Sequence, residues 1–326
     1  MKCPQCSFNH RRNLGMKCSG CGYEFVLDPK RDTIADGRFL AMVRRASCDG
    51  TCYFTFNQLV TTFYDSARYR VLFLTFCSTL VLAGGAIGFV WTAEPVIGRA
   101  PEWAVTACVL LLLGSLGWWF GVTGYGRPNR KRIDRWRRRF EKSKEPFHQL
   151  LKDDFPLENP PPEWSESDIY DYGVEGILFV EHEILVDLLV LNGFHADSRV
   201  LVVSESGYPK YIAKHVERIL VDQPDVPLFS LHDSCPRRIE YLSSMLEGAR
   251  FDLAGKSIVD LGFSNSGVRR TRALRRLRRG YLLSVDSVRW GKLAPALSLA
   301  IAEKRSMVDV IAACKDPDAA TAISFG

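Results

Sequence analysis

The chain has 326 residues, with 43 Lys and Arg against 37 Asp and Glu, a formal net charge of +6, and 10 cysteines. That length leaves room for one small and one medium domain beside two long uncharged runs, and the basic residues are clustered, so local positive fields are expected to attract anionic lipid or nucleic acid. The first 30 residues are polar, charged and cysteine-bearing, unlike a secretory signal, and no G-x-G-x-x-G, P-loop, G-x-S-x-G or H-E-x-x-H pattern occurs, which argues against nucleotide-driven work and the best-known hydrolase chemistries.

Residues 1–27 carry two knuckles, Cys3-Pro-Gln-Cys6 and Cys18-Ser-Gly-Cys21, with eleven residues between them. Thiols on the cytoplasmic side stay reduced, and two C-x-x-C pairs at this distance predict a closed tetrahedral zinc site of the zinc-ribbon kind. Four sulfurs leave no open position, so the zinc is expected to be structural. The alternative, a thioredoxin-like redox role for either pair, lacks a surrounding βαβ pattern. His10 lies between the knuckles and is expected to be a surface or turn residue.

Residues 32–70 predict a winged-helix-like helical segment. Phe39, Leu40, Val43 and Ala46 recur at helical spacing, a Cys-Asp-Gly turn follows, and YFTFNQLVTTFY enters a second helix capped by Thr55. Cys48 and Cys52 are spaced C-x3-C with no second pair in reach, and are expected to be buried or incidental thiols.

Residues 71–91 and 103–122 are uncharged runs long enough to cross hydrocarbon as helices, with a pair of buried core helices as the alternative. Arg68 and Arg70 precede them and a basic block follows, so residues 71–122 are expected to form a transmembrane hairpin in the inner membrane with both termini in the cytoplasm. Trp91, Trp103, Trp118 and Trp119 suit the interface, and Gly84 with Gly88 suits close helix approach. Neither run contains an ionisable residue, which argues against transport.

Residues 123–164 combine a basic juxtamembrane helix with a stiff linker. Arg130, Lys131, Arg132, Arg135, Arg137, Arg138 and Arg139 are expected to face anionic lipid head groups, and Pro156, Pro160, Pro161 and Pro162 mark the linker.

Residues 165–326 alternate apolar runs with amphipathic stretches. Strands are expected at 176–181, 199–203 and 227–231, and helices at 184–191, 211–220 and 237–246. This implies an α/β domain with a parallel sheet, whose ligands bind off the carboxyl ends of the strands. Glu181 and Asp233 sit at two such ends, either as metal ligands or as helix N-caps.

The stretches VEHEILVDLLVLNGF, SESGYPKYIAKHVERIL and PLFSLHDSCPRRIEYL resemble the Toprim domain of the topoisomerase VI A-subunit family. Glu181, Gly207-Tyr208-Pro209 and Asp233-Ser234-Cys235-Pro236 fall on that family's strand-end Glu, Gly-Tyr-Pro turn and Asp-x-Asp-Pro motif. YFTFNQL is similar to the Thr-rich start of its winged-helix segment. The resemblance implies a DNA-associated, Mg2+-binding domain, and the departures bear on its chemistry. Val60 and Thr61 stand where the family has its nucleophilic tyrosine, Tyr64 lies about one helical turn further on, and Cys235 replaces the second Asp. A thiol offers a hard Mg2+ ion neither charge nor fit, which implies a pseudoenzyme.

Arg269, Arg270, Arg272, Arg275, Arg276, Arg278 and Arg279 crowd one predicted helix, with Val268, Leu274, Leu277 and Tyr281 on its apolar side. This face suits nucleic-acid phosphates, and the alternatives are a solvated face or the inner leaflet. A last helix or two is expected in 293–314. Three functions remain open at this point: a membrane-anchored, nucleic-acid-associated and catalytically degenerate protein, a membrane-face scaffold binding a protein partner, and a metal-dependent nuclease or phosphoesterase using Glu181 and Asp233.

Overall fold

The computed structural model describes residues 1–64, 129–152, 157, 173–234, 251–253, 255–263 and 283–313. The chain forms two compact units, one of Met1–Thr61 with Phe140–Gly326 and one of Thr62–Arg139.

The first unit is organised on a four-stranded parallel sheet. Its strands are β1 (Gly176–Val180), β2 (Val200–Ser204), β3 (Leu228–Leu231) and β4 (Ile258–Asp260), in the order β2-β1-β3-β4. Apolar runs such as GILFV and VLVVS suit a sheet covered on both faces, and every residue of β1, β2 and β3 is buried. Side chains alternate between two cores, as a period of two requires. Leu178, Val180, Val202, Phe229 and Leu231 pack with helices α4 (Glu183–Leu191), α7 (Trp290–Glu303) and α8 (Met307–Ala313). Ile177, Phe179, Leu201, Val203 and Leu228 pack with α6 (Lys210–Asp222). A short helix α5 (Phe194–Ser198) precedes β2. The strands and helices expected over 176–231 are present with ends shifted by one or two residues; β4 had no strong apolar run to announce it, and 237–246 lies outside the described residues.

The amino-terminal part of this unit contains α1 (Pro29–Asp32), α2 (Asp36–Ala46), a turn at Cys48–Gly50 and helical residues from 56 onward. Asp36, fully buried at the start of α2, accepts hydrogen bonds from Tyr23 Oη, Val26 N and Leu27 N at 2.8–2.9 Å, and so fastens the cysteine-bearing segment to the helix. The next helical stretch is tied to the carboxyl-terminal loop before α7 by Thr55, Asn57, Gln58 and Thr61, all hydrogen-bonded to residues 286–288. Thr55 caps that helix as expected, its Oγ1 accepting from Gln58 N at 3.2 Å.

Helix α3 (Arg130–Ser143) begins in the second unit, where Ile133 and Trp136 are buried and Trp136 meets Phe63 at 5.8 Å between ring centroids. Arg137 and Arg138 reach Asp134 on their own helix at 2.7 and 2.9 Å, and Arg132 lies over the Trp136 ring. These three guanidinium groups have partners within the helix, which the lipid-facing expectation for 130–139 did not foresee.

The expected transmembrane architecture is corrected. Among the described residues no helix is long and apolar enough to cross a membrane. The longest helices whose ends are described, Arg130–Ser143 and Trp290–Glu303, have 14 residues each. At 1.5 Å per residue they reach about 21 Å, against roughly 30 Å of hydrocarbon. The spans expected at 71–91 and 103–122 lie outside the described residues. The described architecture is an α/β unit with a cysteine cluster, and a membrane partner, bound lipid head groups and an inner-membrane location with both termini in the cytoplasm find no footing in it.

Candidate metal centres

Two clusters of metal-ligating side chains are present among the described residues. The first is Cys3, Cys6, Cys18 and Cys21, whose sulfurs all lie within 4.8 Å of one another. The two knuckles repeat one structure at an offset of fifteen residues. Cys3 N donates to Phe8 O as Cys18 N does to Tyr23 O, and Ser7 N donates to Cys3 O as Gly22 N does to Cys18 O, at 2.8–3.0 Å. Ser7 and Gly22 take the same left-handed backbone, with φ of 60° and 77°. Each knuckle thereby turns two sulfurs to one side.

The sulfurs of Cys3 and Cys21 are 3.6 Å apart and those of Cys6 and Cys18 are 3.7 Å apart. A tetrahedron with metal–sulfur bonds of about 2.3 Å has edges of about 3.8 Å, so the spacing fits a four-thiolate ion. Desolvation resists ionisation at Cys18, but the N–H groups of Gly20 and Cys21 and the sulfurs of Cys6 and Cys3 bring its thiol down to about 6. At Cys21 the Tyr23 N–H favours the thiolate, yet desolvation and the other three sulfurs push it up to about 12. A cation bound between the sulfurs would take up the charge of thiolates held this close.

His10 is not a surface residue. It is 1 % exposed, with Nε2 3.0 Å from Gly15 O, Nδ1 3.3 Å from Ser19 Oγ, and its ring stacked on Phe25 at 5.6 Å. Phe25 occupies the same place in the second knuckle, and the paired rings close the base of the repeat. The cysteine spacing shows the repeat at fifteen residues, but a histidine aligned with a phenylalanine gave no hint of this burial.

The second cluster is Glu181, His182 and Asp233. Glu181 follows β1 and Asp233 lies two residues past β3. Because β1 and β3 are parallel neighbours, both carboxylates emerge at the carboxyl edge of the sheet. Asp233 N donates to Glu181 Oε2 at 2.8 Å, and Val285 N donates to Asp233 Oδ1 at 2.7 Å. The remaining oxygens, Glu181 Oε1 and Asp233 Oδ2, lie 3.9 and 3.5 Å from His182 Nε2. Glu181 is thus not the N-cap of α4, whose cap position is His182 without a side-chain capping bond. The hydrogen bond to Asp233 raises the His182 pKa, desolvation works against it, and the charges of Glu181, Asp233 and Asp286 carry it to about 9. His182 stands in the EHE triplet at a strand end, and only the fold singles it out.

Behind this edge lies a buried layer that the sequence did not announce. His232 Nδ1 faces Asp233 O at 2.7 Å and its Nε2 faces Asp260 Oδ1 at 3.0 Å. Both partners are acceptors, an arrangement that favours the doubly protonated ring. Burial opposes that charge, but Asp260 and the Asp233 carbonyl raise the His232 pKa. A Cβ on Gly262 would lie 2.4 Å from the His232 ring, so glycine is required there. Asp286, buried beside Asn57 and Thr55, has its pKa raised by desolvation, against the hydrogen bonds of Ser284 and Asn57.

Val60 and Thr61 are buried, and Thr61 Oγ1 donates to Ser287 O and lies 2.9 Å from Gln58 O. That hydroxyl is committed to packing. Tyr64 ends the described stretch, and Cys235 and the seven arginines of 269–279 lie outside the described residues. Compared with known proteins, the chain matches no family model, no curated protein and no solved structure.

Proposed function

We propose that this chain is a nucleic-acid-associated protein built on a Toprim-like α/β domain, in which Glu181, His182 and Asp233 hold a divalent cation against a phosphodiester without tyrosine-linked strand cleavage. The observation that carries this reading is the convergence of Glu181 Oε1, Asp233 Oδ2 and the His182 imidazole at the carboxyl edge of a parallel sheet. Each carboxylate is fixed through its other oxygen by a backbone N–H, which orients the outward oxygen before any ion arrives. Two carboxylates and one imidazole suit Mn2+ better than Mg2+, which prefers oxygen throughout. A cation bound there neutralises phosphate charge and lowers the pKa of a bound water.

The absence of tyrosine chemistry rests on Val60 and Thr61 at the nucleophile's place and on Cys235 in place of the second Asp. The arginines 269–279 are assigned to phosphate contacts and the four cysteines to structural zinc, because sulfur fills all four positions. A second reading, a metal-dependent phosphodiesterase with water as nucleophile, is favoured by His182, which supplies a third donor where the motif had offered two.

The full chain titrated with duplex DNA at two salt concentrations, with and without Mn2+, separates these readings. Binding that weakens with salt, strengthens with Mn2+ and leaves the DNA intact supports the proposal. Mn2+-dependent cleavage lost in Glu181→Gln and Asp233→Asn establishes the phosphodiesterase. Indifference to DNA at both salt concentrations overturns both and leaves a protein-binding scaffold.

A further inference from the structure

The loop of residues 283–288 is held from two directions. On one side it meets the strand-end aspartate: Val285 N donates to Asp233 Oδ1 at 2.7 Å, Ser234 N donates to Leu283 O at 2.9 Å, and Leu283 N donates back to Ser234 Oγ. On the other side Asn57 Nδ2 donates to both carboxylate oxygens of Asp286, at 2.9 and 2.7 Å, across 229 positions in sequence. Val285 and Asp286 are consecutive residues of one 3-10 turn, Val285–Ser287, closed by Ser287 N on Ser284 O and Val288 N on Val285 O, both at 3.0 Å. The N–H that holds Asp233 and the carboxylate that Asn57 holds therefore belong to one tight turn.

Thr55, Gln58 and Thr61 also reach this loop, but there they bond the backbone carbonyls of Asp286, Val288 and Ser287. Asn57 grips a buried side chain, which also accepts from Ser284 Oγ. A buried carboxylate that loses such a donor must find another or take in water, and either shifts the turn that carries it. Val285 N then no longer fixes Asp233 Oδ1, and the direction of Asp233 Oδ2, 3.5 Å from His182 Nε2, is no longer set.

We infer that Asn57 is a positioning residue for the divalent-cation site, acting through Asp286 and the Val285 N–H on the Asp233 carboxylate, an assignment that rests on Glu181, His182 and Asp233 holding the ion as proposed above. Asn57 supplies no ligand atom; it sets where one ligand oxygen points.

The test uses the full chain with Mn2+ as the probe. Isothermal titration reads the affinity, and the electron paramagnetic resonance spectrum of the bound ion reads the arrangement of its ligands through the zero-field splitting. Asn57→Ala is expected to weaken Mn2+ binding by about tenfold, the scale on which outer partners of metal ligands act, and to change the spectrum. Thr61→Val, which removes a bond from the same helical stretch to the same loop, is expected to lower the thermal midpoint and leave affinity and spectrum at parent values. Asn57→Asp combined with Asp286→Asn exchanges donor and acceptor, and is expected to recover most of the affinity and the parent spectrum. Parent affinity and spectrum in Asn57→Ala, or equal changes in Thr61→Val, overturn the positioning role while the metal site stands. Where circular dichroism shows Asn57→Ala unfolded, the exchanged pair decides alone, recovery supporting the role and loss overturning it. A parent chain that binds no Mn2+, or whose binding survives Glu181→Gln and Asp233→Asn together, overturns the metal site and the role with it.

Discussion

The backbone N–H of Asp233 donates to Glu181 Oε2 at 2.8 Å, joining two residues separated by 52 positions in sequence. This bond turns the outward Glu181 oxygen toward His182, as the bond from Val285 N does for Asp233, and it exists because β1 and β3 are parallel neighbours.

Removing either carboxylate charge weakens the site. Glu181→Gln and Asp233→Asn are each expected to lower Mn2+ affinity by at least about tenfold, because each takes a charged ligand from a three-ligand set. Isothermal titration of the full chain with Mn2+ reads this directly, and unchanged affinity in both variants rules the cluster out as the binding site.

His182 gives stability a pH dependence of defined sign. Its folded pKa of about 9 lies above the reference value of 6.5, so its contribution is fully present below about 6.5 and is lost as pH rises through about 9. His182→Ala is expected to flatten the denaturation midpoint between these limits. Mn2+ competes with the imidazole proton, so binding at pH 8 should release protons, measurable by comparing binding heats in buffers of different ionisation enthalpy.

One metal ion per chain is expected at the four cysteines, and Cys3→Ser, Cys6→Ser, Cys18→Ser and Cys21→Ser should each lose it. His10→Ala should keep the ion while destabilising the segment by about 1–3 kcal/mol, since it strips buried hydrogen bonds. Metal analysis paired with thermal melts decides whether His10 supports the repeat or binds the ion.

Gly262→Ala is expected to destabilise the chain by about 1–3 kcal/mol, because its methyl group would overlap the His232 ring. Combining it with His232→Ala should give less loss than the sum of the single changes, since the double variant removes the clash. Denaturant unfolding of all four chains measures the coupling, and strict additivity contradicts the packing described.

Short-range features were legible in the sequence. The C-x-x-C spacing places two sulfurs on one side of a turn, and runs such as GILFV and VLVVS are apolar on both faces because a parallel sheet is covered on both sides. Thr55 could be read as a cap because capping acts within one helical turn. What the chain could not disclose depends on which strands are neighbours. Periodicity shows that a residue faces a core, but only the order β2-β1-β3-β4 brings Glu181 to Asp233 and sets His182 over both. The burial of His10 against Phe25, the His232–Asp260 pair and the docking of Thr55, Asn57, Gln58 and Thr61 on residues 286–288 are likewise contacts across sequence distance. Local pattern determines what each segment can form; tertiary packing decides which polar groups meet, because a buried donor is satisfied by whatever acceptor the fold brings to it.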